Sequence, residues 1–122
     1  MKRGKYHAGM LRETGDLQRR VLTEVGGGSK TQTWVNLVAG IPFAVIPLSG
    51  REQMAGMQLE HPISCRIVIR YNVDVATERG DLMLVERDAR REVVRQFNIR
   101  GVYDVDDRKR WMELTAEEGV GI

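Results

Sequence analysis

Three short stretches carry residue types that could do chemistry. Gly26-Gly27-Gly28-Ser29-Lys30-Thr31 has the glycines and lysine of a phosphate-binding loop. That loop needs Gly directly before the Lys and another Gly five residues earlier, so that backbone N–H groups cradle the phosphates. Ser29 and Glu24 occupy those places, so a flexible hairpin turn is the better reading. His61 and Cys65 are the types used in a nucleophile–base pair. Cys65, however, lies on the apolar face of a strand pattern, where it serves as a small buried hydrophobe. Asp104, Asp106 and Asp107 could hold a hard cation, but Arg108, Lys109 and Arg110 follow at once and neutralise them. A charged turn accounts for that run. No catalytic, cofactor-binding or metal-ligating residue is expected.

The elements around these stretches belong to one domain, as expected for 122 residues. The chain has 19 basic and 17 acidic residues, a net charge of +2, which excludes a highly basic DNA-coating protein and an acidic disordered tail. One cysteine and two histidines exclude a disulfide framework and multi-cysteine zinc motifs. The N-terminal cations precede no apolar h-region, so no signal peptide is read. Thr31 to Gly50 has no charge and the length of a membrane span, but Gly40, Pro42, Pro47 and its β-branched residues favour two buried strands joined at Gly40.

Residues 1–14 are basic and without period, and a flexible arm is expected there. Leu17–Val25, Thr31–Val38 and Ile41–Leu48 read as strands. Ser49 and Glu52 have the spacing of a capping box, Met54, Met57 and Leu59 follow at helical spacing, and Pro62 ends the run. A short helix or helical loop is expected at about 50–60. Ile63, Cys65, Ile67, Ile69 and Tyr71 alternate with Ser64, Arg66, Val68 and Arg70, which gives a strand with Ile67 and Ile69 inward. Leu82, Val85, Ala89, Val93 and Phe97 would line a helix, yet 82–86 and 93–100 can equally be two strands around a polar turn. A charged turn and a last strand, Trp111–Thr115, follow. The fold class is mainly β: a small antiparallel barrel or sandwich with one short helix or long loop after the third strand. The domain spans 15–118, with a loose end at 119–122. A small β-barrel that binds nucleic acid is the alternative function, with Trp34, Trp111, Tyr71 and Tyr103 available for stacking.

The order of several segments adds a resemblance. Gly15-Asp16-Leu17-Gln18-Arg19-Arg20-Val21, Thr33-Trp34-Val35, Pro47-Leu48-Ser49-Gly50-Arg51-Glu52 and Ile67-Val68-Ile69-Arg70-Tyr71 occur in that order. Phe97-Asn98-Ile99 and Met112-Glu113-Leu114 follow. Together they resemble the phage head–tail joining, or head-closure, family. The resemblance implies a structural, non-enzymatic virion protein without cofactors, from a phage, a prophage or a gene transfer agent. It implies a homo-oligomeric ring below the portal, assembled in the host cytoplasm. Its partners would be the portal or adaptor on one side and the tail or tail terminator on the other, with possible contact to packaged DNA and none to membrane. The interface residues expected are Ser49, Gly50, Arg51, Glu52, Met54, Met57 and Leu59 in the loop, and Lys109 and Arg110 in the charged turn, meeting acidic residues of a neighbour.

Overall fold

The computed structural model describes residues 6–48 and 63–119. Six strands build it: β1 (Glu13–Glu24), β2 (Lys30–Pro47), β3 (Cys65–Arg70), β4 (Leu82–Arg87), β5 (Val93–Asp104) and β6 (Trp111–Glu118). They pair antiparallel in the order β1-β2-β3-β6-β5-β4, and β4 pairs with β1 to close a barrel. Closure leaves the barrel wall without an edge on which another strand could aggregate. The mainly β fold expected is therefore present, and of the barrel or sandwich it is a closed barrel.

Period-two alternation decides which side chains fill the barrel. Ile67 and Ile69 are fully buried as expected, and Met112, Leu114 and Ala116 repeat the pattern on β6. Leu17, Ile41, Phe43, Leu84 and Phe97 complete the centre. Cys65 is buried with them, and desolvation pushes its thiol above the ordinary range. A second cluster lies outside the wall. Ala44 and Val68 face each other across β2 and β3, and Tyr6 covers them beside Met10, Leu11, Ile46, Val105 and Trp111. The Tyr6 hydroxyl donates to Glu113 Oε2 at 2.6 Å, and its ring meets Trp111 edge-on at 6.2 Å. Residues from Tyr6 onward in the expected flexible arm are thus held against the barrel. This also explains why Val68, on the outer face, is apolar.

Other expectations change in detail. Thr31–Val38 and Ile41–Leu48 are one strand, β2, because Gly40 takes a φ of 65° and bends the chain without ending it. The segment after Pro47 thus follows the second strand rather than a third. The helix or helical loop expected at about 50–60 lies outside the described residues. A five-residue helix, α1 (Val73–Thr77), instead follows β3, where the Asn72 side-chain oxygen accepts from the N–H groups of Asp74 and Val75 at 2.9 and 3.3 Å. The open choice over 82–100 resolves to two strands, β4 and β5. Asp88 Oδ1 closes their turn by accepting from the N–H of Arg90 and of Glu92 at 2.9 and 3.0 Å.

At Gly15 the backbone of β4 passes close against β1. A Cβ there would collide with the Val85 carbonyl oxygen and sit 3.1 Å from Glu86 Cα. Both are backbone atoms of a neighbouring strand and cannot swing away. Gly15→Ala is expected to cost about 1–3 kcal/mol by overpacking. Denaturant melts would check this, with Thr31→Ala at an exposed position of β2 as a contrast.

Candidate functional site

Two surfaces stand out, and both grow from the same end of the barrel. The first is the β1–β2 hairpin. β4 pairs with β1 only over Gly15–Arg19, and β3 pairs with β2 only over Ala44–Pro47. The Arg20 N–H still donates to the Asp81 carbonyl at 3.2 Å, and from Val21 to Glu24 β1 pairs only with Lys30–Thr33. At about 3.4 Å per residue this two-stranded ribbon reaches roughly 14 Å past the wall. Its tip is Gly26-Gly27-Gly28-Ser29, with all three glycines at positive φ and Val25 N–H donating to Ser29 O at 3.1 Å. That geometry is a hairpin turn.

The ribbon has two faces. Arg20, Leu22 and Glu24 lie opposite Trp34, Gln32 and Lys30 on one; Val21 and Thr23 lie opposite Thr33 and Thr31 on the other. Leu22 is 58% exposed and Val25 61%. An isolated two-stranded ribbon is only marginally stable in water, so apolar side chains on one gain most when a partner covers them.

The root of the ribbon is fixed by Asp16, which is 1% exposed at a register shift of β1. Its Oδ1 accepts from the Gly40 N–H at 2.9 Å. Its Oδ2 pairs with Arg87 Nε at 2.7 Å and Arg91 Nη2 at 3.1 Å. Burial pushes this carboxyl up, but the hydrogen bonds from Gly40, Arg87 and Arg91 and the charge of Arg91 outweigh it, so the group stays below the usual carboxylate range. Arg20 braces the same region through a 2.6 Å ion pair to Asp81.

The second surface is an open cleft lined by Arg70, Tyr71, Lys109, Arg110 and Trp111. Arg70 and Trp111 are register partners across β3 and β6, and the Tyr71 N–H donates to the Arg110 carbonyl at 3.0 Å. The β5–β6 turn is shaped by Asp104, whose Oδ1 accepts from the Lys109 N–H at 3.1 Å. Asp104 thus closes the turn from within.

The expected interface residues separate accordingly. Lys109 and Arg110 are exposed on the β5–β6 turn. Ser49, Gly50, Arg51, Glu52, Met54, Met57 and Leu59 lie outside the described residues, as does His61, the partner considered for Cys65. Arg70 and Tyr71 stood in the sequence as part of a strand pattern, and nothing local marked them as neighbours of Lys109. The stacking residues of the alternative reading do not gather: Trp111 and Tyr71 line the cleft, whereas Trp34 sits at the root of the ribbon opposite Arg20.

No helix among the described residues is long and apolar enough to cross a membrane. No curated protein matches the chain at a significant level. The model of a family described as phage head completion protein matches residues 6–119, which spans the barrel, the ribbon and the Tyr6 segment that packs outside it. With a family match over nearly its whole length, the chain belongs to the phage head completion protein family, a family of phage head components.

Proposed function

We propose that the protein is a non-enzymatic structural component of the virion. It forms a ring below the portal of a tailed-phage or gene-transfer-agent head, closes the filled head and offers the tail its docking surface. Its neighbours are further copies of itself, the portal or an adaptor above, and the tail or tail terminator below. It joins the particle during assembly in the host cytoplasm. The observation that carries this reading is the two-stranded ribbon that projects from a closed barrel with Leu22 and Val25 exposed on it. A ring needs head-to-tail contacts between unlike surfaces of identical subunits, and a ribbon that leaves the barrel wall can reach an adjacent subunit. The segment 49–62 is the second proposed contact, through Met54, Met57 and Leu59. Methionine side chains are unbranched and adapt to partners.

Negative-stain microscopy of the purified protein, alone and with tail-less heads from the same source, tests the reading. Rings on the head vertex are expected; heads left bare and leaking DNA would count against it. Replacing Leu22 and Val25 by Ser should change the monomer's unfolding free energy by no more than about 0.5 kcal/mol, as surface changes do, while joining is lost. A large loss of monomer stability, with joining retained by the folded fraction, would show that these side chains serve only their own barrel.

A further inference from the structure

The cleft at the end of β3 gathers three cations, Arg70, Lys109 and Arg110. Arg20, Arg87, Arg91, Arg95 and Arg100 each pair with a carboxylate of their own chain at 2.6 to 3.1 Å. Among the described residues, Arg70, Lys109 and Arg110 have no carboxylate within 4.0 Å. Three cations from one strand end and one turn thus line a single cleft without a carboxylate of their own chain.

Their setting is also built. The Arg70 guanidinium lies 5.2 Å over the Trp111 ring, and Trp111 is in turn held edge-on by Tyr6. A guanidinium held over a ring by cation–π attraction keeps N–H groups that can donate as a fork, the geometry that matches a carboxylate. An arginine held over a ring has also already lost part of its rotamer freedom, so less is lost on binding. The Tyr71–Arg110 backbone bond fixes the spacing between the strand end and the turn.

We infer that this cleft binds an extended acidic segment of a different protein, through carboxylates received by Arg70, Lys109 and Arg110. A second copy of this chain also carries carboxylates outside its ion pairs, so self-association is a separate outcome of the test. Duplex DNA is the poorer ligand. Tight duplex binding neutralises about 6–10 phosphates along a basic stripe, whereas these cations sit at one turn and one strand end of a chain with net charge +2. That the second protein is a head or tail component rests on the proposed function; the chemistry of the cleft does not.

Trp111 reports on its own site. The chain has two tryptophans, so Trp34→Phe leaves Trp111 as the only indole. This variant is titrated at low salt with capped oligoglutamate, capped oligoglutamine and a short DNA duplex, and calorimetry of the unsubstituted protein repeats the titration. Oligoglutamate should change Trp111 emission saturably, and added salt should weaken the effect by screening. Oligoglutamine should do nothing. Lys109→Glu with Arg110→Glu should weaken binding at least about tenfold, as like-charge juxtaposition costs more than a kcal/mol or so. Arg70→Gln should weaken it in the same direction without reversing charge, and circular dichroism should match for all variants. No saturable response to oligoglutamate overturns the inference. So does tighter binding of the duplex with a steep salt slope, or self-association at low salt that the Lys109/Arg110 reversal abolishes. Bare heads in the microscopy with intact oligoglutamate binding would instead refute only the proposed function.

Discussion

Replacing Asp16 with Ala is expected to destabilise the barrel by about 3 kcal/mol, the lower end of the cost of breaking a buried ion pair. Two guanidinium groups and the Gly40 N–H lose their acceptor together. The cost stays at the lower end because Arg91 is largely exposed and rehydrates, while Arg87 is more enclosed. The loss should depend on pH. The folded carboxyl sits below its ordinary range, so on acidification the unfolded chain takes up the proton first, near pH 4 or so. The stabilisation is therefore complete above that value and fades as pH falls through it toward the folded pKa. Urea melts of both proteins across pH should show a gap that is constant near neutrality and closes in acid. Equal midpoints at neutral pH would mean that the network contributes no net stability. Asp16→Asn should fall between the two, since an amide oxygen can still accept from Gly40 but carries no charge for the arginines.

Phe43→Ala is expected to cost about 3–5 kcal/mol, the sum of lost transfer energy and an unfilled cavity. Phe43 and Phe97 are both fully buried, with ring centroids 6.3 Å apart at 78°. They come from β2 and β5, which are not neighbours in the sheet and face each other across the barrel. The contact therefore ties opposite walls together, and neither β strand can move inward to fill the gap without breaking its ladder. A double-mutant cycle with Phe97→Ala should return a coupling of about 0.5–1.5 kcal/mol for the edge-to-face pair. Thr31→Ala on the exposed ribbon should stay within about 0.5 kcal/mol. A comparable loss there, or additive losses for the two phenylalanines, would contradict the packing described.

The features readable from the chain alone are those that depend on near neighbours in sequence. Alternation from Ile63 to Tyr71 placed Ile67 and Ile69 inside because side chains on a strand alternate between faces whatever the strand pairs with. Three glycines in a row marked the hairpin turn because only a residue without Cβ takes positive φ freely. The run Gly15-Asp16-Leu17 was recognisable as a pattern, yet its meaning was not. Gly15 is small because β4 passes against it, and Asp16 is buried because Gly40, Arg87 and Arg91 converge on it from 24, 71 and 75 residues away. Tyr6, read as part of a loose arm, is held by Glu113, 107 residues distant. The cleft likewise needed β3 and β6 to become neighbours before Arg70 could meet Arg110 and Trp111. The sequence by itself determined which face of each strand is apolar and that the architecture is a small antiparallel β-fold. Only closure of the barrel decided which polar and aromatic groups meet, because closure sets the register between strands far apart in the chain, and no local pattern encodes that distance.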